Sequence, residues 1–192
     1  MKHSAKTAII NSFKELLNKR PLDKITIKEI CEYCDVNRQT FYYHFTDIMD
    51  IFKFIVSEEL SAEIAQNRTF ETWKGGFLAT MNYLKKNSRM ILHIYHSSYR
   101  SEANTYFTNL SNKLLHNVVT ECIERMEVKI SDEDQIFIVN FYRRVFNGLI
   151  IDWVIAGMKE DPQIILSKLL VMISGSIPRS VAGFAKNKKY NF

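Results

Sequence analysis

Apolar positions recur at spacings of three and four along almost the whole chain, the period of helices with one buried face. Ala5, Ile9, Phe13, Leu16 and Leu17 form the first stripe. Lys19 and Arg20 follow, cations suited to a helix C-terminus, and Pro21 stops the pattern. Thr26-Ile27-Lys28-Glu29 is a capping-box sequence, with Ile25 and Ile30 at the hydrophobic-staple positions around it. It predicts a short helix over 27–34, in which Thr26 accepts from the Glu29 N–H and the Glu29 carboxylate reaches back. Asp35 marks a turn, being one of the few non-glycine residues that enters the left-handed region at modest cost. Asn37 is a good N-cap for a second short helix ending near His44. Two short helices across a tight turn have helix-turn-helix proportions.

The remaining pattern predicts more helices. Asp47 caps a long one whose stripe is Ile48, Ile51, Phe52, Ile55, Val56 and Leu60. Residues 69–76 are weakly patterned and hold Trp73 and the Gly75-Gly76 pair, so they read as a joint. Helices are expected over 77–86, 89–96 and about 102–126. Ser131-Asp132-Glu133 opens another, its acids favourable in a first turn, which runs to Met158. Asp161-Pro162 caps the last, which continues through Ile173 towards Pro178. The expected fold class is all-α, without repeats or low-complexity segments.

Composition supports this picture. Six Gly and three Pro in 192 residues are too few turn-formers for a many-stranded β-sandwich or barrel, and 46% hydrophobic residues exclude wholesale disorder. The run 145–158 is read as the longest apolar stretch and is too short to span a bilayer, so no membrane partner is expected. Met1-Lys2-His3-Ser4 does not open a signal peptide, and three cysteines fit a reducing cytoplasm. The sequence pI near 9.0 invites a nucleic-acid reading. The charge is unevenly placed, however. Residues 1–50 hold eight Lys or Arg against seven Asp or Glu, whereas 178–192 hold four cations and no acid. Bulk charge is therefore a poor guide, and the basic tail reads first as solvated chain.

The second short helix carries the chemistry. Phe41 and Phe45 lie four apart and should pack on the preceding helices. Arg38, Gln39, Tyr42, Tyr43 and His44 lie on other faces, rich in hydrogen-bond donors and free of acids, which predicts a DNA-reading surface. One of the two tyrosines could instead pack against the helix that starts at Asp47.

Other constellations point elsewhere. Cys31-Glu32-Tyr33-Cys34 is a C-x-x-C motif, but it closes a helix, where the dipole opposes thiolate formation; buried packing is expected. His93 and His96 lie three apart, near Tyr99 and Tyr106, without a carboxylate partner. With Trp73, Phe77 and Phe146 they suggest an aromatic and imidazole lining of an effector pocket, or a plain packed face, rather than a metal site. Arg143-Arg144 precede an apolar run whose consecutive Leu149, Ile150 and Ile151 suit a helix covered on both sides, as at a dimer seam; burial in the core alone is the alternative. No P-loop, nucleophile elbow or Gly-rich dinucleotide motif is present, so neither enzyme activity nor a cofactor is expected.

Thr26-Ile27-Lys28-Glu29-Ile30 followed by Val36-Asn37-Arg38-Gln39-Thr40-Phe41-Tyr42-Tyr43-His44-Phe45 resembles the N-terminal domain of TetR-family transcriptional regulators. Gly148, Trp153 and Gly157 resemble a Firmicutes subgroup that includes regulators of dihydroxyacetone kinase operons. The resemblance implies a homodimer with a helix-turn-helix domain over 1–48 (motif about 26–45, family-type domain to about 62). It further implies a helical effector-binding and dimerisation domain over 49–180, with 181–192 left as the basic tail. Asn37, Arg38 and Gln39 would face base edges. Thr40, Tyr42, Tyr43 and His44 would touch phosphates or bases at the groove rim, Thr26 would touch phosphate, and Lys28 would assist. The last two long helices would build the dimer interface, with Phe141, Ile150, Trp153, Val154, Leu166, Leu170 and Ile173 in it. The implied partners are a double-stranded operator, a small-molecule effector or co-regulator, and a second copy. The implied function is an effector-responsive repressor, with activation as the alternative within the family and a protein–protein adaptor without DNA reading outside it. Two departures stand out. Asp35 occupies a turn position where the family usually has Gly, and Ile48 one where a phosphate-binding Lys is common.

Overall fold

The computed structural model describes residues 4–186. Its elements are α1 (Ala5–Lys19), a 3-10 turn (Leu22–Lys24), α2 (Ile27–Tyr33), α3 (Arg38–His44), α4 (Ile48–Glu63) and α5 (Trp73–Lys86), then α6 (Ser88–Tyr95), α7 (Arg100–Arg125), α8 (Asp132–Ile155), α9 (Pro162–Ile173) and α10 (Ser176–Lys186). No strand occurs among the described residues, so the chain is all-α.

The chain divides into two compact units. Among the described residues, one comprises 4–62 and Leu84–Tyr106; the other comprises Glu63–Tyr83 and 107–186. In the first, α1 packs on α2, α3 and α6. Ile9, Phe13 and Leu17 of α1, Ile30 of α2, Phe41 of α3 and Ile51 and Phe52 of α4 are fully buried. The one polar side chain of α1 in this core, Ser12, donates to the Ile30 carbonyl at 3.0 Å, which offsets the cost of its burial. His93 Nδ1 lies 2.5 Å from the Leu17 carbonyl, joining α6 to the end of α1.

In the second unit α8 packs on α10, and the Tyr142 hydroxyl donates to Ser176 at 2.8 Å. Ser131 and Asp161 cap α8 and α9 with their side chains, as their positions in the sequence suggest.

Two helix boundaries differ from expectation. The presumed joint at 69–76 ends early, because α5 begins at Trp73 and includes both glycines. A Cβ on Gly76 would collide with the Asn67 carbonyl, so the pair permits close approach rather than breaking the helix. The last apolar run is two helices rather than one. Gly175 takes φ +70 and ends α9, and Pro178 falls in the first turn of α10, where a missing N–H costs nothing.

This run also corrects the reading of 145–158 as the longest apolar stretch. Pro162–Lys186 is long and apolar enough to cross a bilayer, with mean hydropathy 1.4 over 18 residues, although 28% of that window is already buried. The break at Gly175 divides it between α9 and α10.

Candidate nucleic-acid interface

The helix-turn-helix is built by local chemistry. Thr26 Oγ1 accepts from the Glu29 N–H at 3.2 Å and starts α2. The Glu29 carboxylate forms an ion pair with Arg20, at the end of α1. Ile25 and Ile30 are buried on either side of the cap. At the turn, Cys34 N–H donates to Ile30 and Val36 N–H to Cys31, with Asp35 between them at φ +54. Asn37 Oδ1 then accepts from the Thr40 N–H at 2.7 Å and opens α3.

Seven residues of α3 divide cleanly by face. Phe41 is fully buried and Phe45, just beyond the helix, is 3% exposed; their rings meet at 6.2 Å. Arg38, Gln39, Tyr42 and Tyr43 are exposed, and Thr40 and His44 are half-buried. Tyr42 is 56% and Tyr43 84% exposed, so neither packs into the core of its unit. Tyr43 is edge-on to the His44 ring at 5.0 Å. The result is a short helix anchored by two phenylalanines, with a guanidinium, a carboxamide and two phenols outward.

Several nearby acids are held by other groups, while Asp35 in the turn is exposed. Glu15 accepts from the Tyr33 hydroxyl at 2.6 Å, and Glu32 faces Lys28 at 3.6 Å. Asp47 and Asp50 cap α4, taking the N–H groups of Asp50 and Thr46. From Val36 to Phe45 there is no acid. Lys28 and Thr26 are exposed on α2 and its cap.

The C-x-x-C motif is not a reactive pair. Burial pushes both thiols above their ordinary range, the Cys31 thiol being further raised by neighbouring Cys34. Cys34 Sγ donates to the Ile30 carbonyl at 3.0 Å, and all three cysteines are free thiols. Among the described residues no cluster of three or more His, Cys, Asp or Glu could hold a metal.

The residues expected in one effector pocket are divided. Trp73, Phe77 and Phe146 do come together. Trp73 stacks on Phe146 at 5.4 Å and 22°, and Phe77 lies 5.5 Å from the same ring. They line a cavity of about 80 Å³ within the second unit. Its other walls are Gly76 and Thr80 of α5; Ser111, Leu114, Leu115 and Val118 of α7; Asn147 and Ile150 of α8; and Ile64, Asn67 and Arg68. His93, His96, Tyr99 and Tyr106 belong to the first unit and are not among its walls. His93 bonds to α1, and the Tyr106 hydroxyl donates to the Lys53 carbonyl at 3.0 Å. The polar wall residues, and the ties that hold the Arg68 segment, escaped sequence reasoning. That segment is bound to α7 by Phe70 N–H donating to Glu121 at 2.7 Å and by a Glu71–Arg125 ion pair, which raises the Arg125 pKa.

The expected interface residues also divide. Trp153, Val154 and Leu166 are buried within the chain, and the Trp153 indole donates to the Glu160 carbonyl at 2.9 Å. Ile150 lines the cavity, Leu170 is half-buried, and Phe141 is 52% exposed. Phe141, Trp153 and Ile173 line an apolar groove of about 940 Å³ along α8 and α9. Val171 and Met172 of α9 are more than three-quarters exposed, and Phe137 and Ile164 about half or more.

Comparisons with known proteins agree with this architecture. The profile described as "Bacterial regulatory proteins, tetR family" matches residues 9–54, and "Transcriptional regulator C-terminal region" matches 71–175. The HTH-type dhaKLM operon transcriptional activator DhaS of Lactococcus lactis subsp. lactis (strain IL1403) is 23% identical over 133 residues, 69% of this chain and 70% of that protein. Among solved structures, the dihydroxyacetone kinase operon activator DhaS aligns with a TM-score of 0.68 at 18% identity, covering 94% of this chain and 98% of that one. NalD, the secondary repressor of the MexAB-OprM multidrug efflux pump in Pseudomonas aeruginosa, aligns with a TM-score of 0.59 at 16% identity, covering 95% and 97%. With a helix-turn-helix at its head and a matching regulator region over most of the rest, the chain is a member of the tetR family of bacterial regulatory proteins.

Proposed function

We propose that the protein is a cytoplasmic, effector-responsive repressor that binds a near-palindromic operator as a homodimer. The observation that carries this reading is α3: Arg38, Gln39, Tyr42 and Tyr43 exposed, acid-free, and locked in orientation by Phe41 and Phe45. Arg38 offers a fork to guanine O6 and N7, and Gln39 or Asn37 a carboxamide to adenine. Thr26, Lys28, Thr40, Tyr42, Tyr43 and His44 supply positioning contacts to the backbone. Two such helices related by a two-fold axis read half-sites about one helical turn apart.

The apolar groove and the exposed Val171 and Met172 support a second copy of this chain packed along α8 and α9. The cavity behind Trp73 is the assigned effector site. A ligand that binds one dimer shape better than the other changes operator affinity by that difference. Activation is the second reading, favoured by the relative DhaS, whose name makes it an activator.

The test is selection of bound DNA from a random pool, followed by gel-shift titration of the consensus. Arg38→Ala is expected to lose about 1–3 kcal/mol and to relax one base position. A variant that binds every sequence as the parent does removes Arg38 as a reader. No selectable DNA at all leaves the adaptor reading instead. Val171→Glu with Met172→Glu is expected to yield folded monomers by light scattering; a dimer that persists moves the interface elsewhere. A reporter with the consensus at its promoter separates repression from activation.

A further inference from the structure

We infer that the cavity between α5, α7 and α8 takes a small, neutral, mainly apolar molecule of about four to six heavy atoms, an assignment that rests on reading this cavity as the effector site. The size follows from volume. At about 80 Å³ the space is roughly half that of an engineered cavity known to hold benzene. The chemistry follows from the walls. Trp73, Phe77 and Phe146 present aromatic carbon, and leucine, isoleucine and valine side chains complete most of the surface.

The two wall hydroxyls are turned to their own helices, and the Asn147 amide reaches across to α7. Thr80 Oγ1 donates to the Gly76 carbonyl at 2.8 Å and Ser111 Oγ to the Phe107 carbonyl at 2.7 Å. Asn147 Nδ2 reaches Thr108 at 3.5 Å. A polyol would therefore lose its water without finding a matching row of donors, a costly exchange. Arg68 is the charged residue of the lining, and it is exposed. An ion pair there would be strongly solvated and would gain little for an anionic ligand. A neutral molecule gains from each methylene it buries and gives up little hydration.

The test is titration of the full-length protein, without DNA, with straight-chain alcohols from propanol to octanol, read by intrinsic tryptophan fluorescence. Trp73 sits in the wall and reports directly, and Trp73→Phe identifies its signal against Trp153. Affinity is expected to rise about fourfold per methylene up to butanol or pentanol, five or six heavy atoms, and then level off as the cavity fills. Ser111→Leu places a side chain in the space at little cost, because the lost hydroxyl bond is internal to α7. It should weaken the best alcohol at least tenfold while circular dichroism stays unchanged. Val118→Ile, which adds a single methylene to the wall, should shorten the optimal alcohol by about one carbon, and it serves if Ser111→Leu does not fold.

Three results overturn the inference: no saturable signal at millimolar alcohol; tighter binding of glycerol or of matched carboxylates; or parental affinity in the folded filled variant. Alcohol binding in a protein that selects no DNA would instead overturn the regulator reading and leave this ligand class standing.

Discussion

Asp23 and Ser98, 75 residues apart, are joined by three hydrogen bonds: the carboxylate takes the Ser98 N–H with both oxygens at 3.1 Å and the Ser98 hydroxyl at 2.6 Å. The contact fastens the link between α1 and α2 to the corner between α6 and α7. Both residues are exposed, so water competes for every bond. Asp23→Ala is expected to cost about 1 kcal/mol of unfolding free energy, with Asp23→Asn losing less. Urea denaturation measures both. Equal stability of Asp23→Ala and the parent would show that the contact contributes nothing.

The turn before α3 holds Asp35 at φ +54, a conformation an aspartate tolerates and a glycine adopts freely. Asp35→Gly should therefore be neutral to stabilising, by up to about 1 kcal/mol, because relief of strain offsets the greater freedom of the unfolded glycine. It also removes an acid next to α3, so operator binding should strengthen slightly at low salt. A large loss of stability would mean that the Asp35 side chain anchors the turn.

Gly76→Ala replaces a poor helix former with the best one, yet it should destabilise. The added methyl meets the Asn67 carbonyl, and backbone yields less readily than a side chain. The expected cost is about 1–3 kcal/mol, against a helix-propensity gain of about 1 kcal/mol. An unchanged or raised melting temperature would show that the Asn67 segment moves aside.

Burial raises the pKa of Cys31, Cys34 and Cys122 above the ordinary thiol value of 9.0. The unfolded thiols therefore lose their protons first as pH rises. This contribution to stability is fully present below pH 9 and is lost between the unfolded and the raised folded values. Stability measured between pH 8 and 10.5 should fall, and Cys31→Ala with Cys122→Ala should flatten the fall. Slow reaction of Cys31 and Cys122 with iodoacetamide at neutral pH is expected for the same reason.

The helix-turn-helix was legible in the sequence because its determinants are local. Thr26, Asp35 and Asn37 act within four residues of themselves, and Phe41 and Phe45 declare their face by spacing alone. The lining of the cavity proposed for the effector was half legible. Aromatic residues announced a lining, but periodicity does not say which helices meet. His93 was grouped with Trp73 on residue type, whereas its ring closes onto the Leu17 carbonyl 76 residues earlier. Gly75-Gly76 looked like a break because glycine's role in close approach depends on a neighbour, Asn67, that only the fold supplies. On α8 and α9, Val154 and Leu166, expected at a seam, are buried within the chain, whereas Trp153 lines the groove and Val171 and Met172 lie outside. An apolar pattern on two stripes does not tell which stripe faces which side.

The engagement of Glu15, Glu29, Glu32, Asp47 and Asp50 in caps and pairs has an ionic-strength consequence. The first fifty residues are almost neutral, and α2 and α3 carry only two Lys or Arg, Lys28 and Arg38. With Arg38 on a base edge and Lys28 on the backbone, a dimer would release counterions from about two phosphates through these helices, a slope of log affinity against log salt near −2. Its hold on DNA would come mainly from uncharged donors, the phenols, hydroxyls and carboxamides of α3, which salt screens little. Such a protein would find its operator slowly but keep it across a wide range of cellular salt.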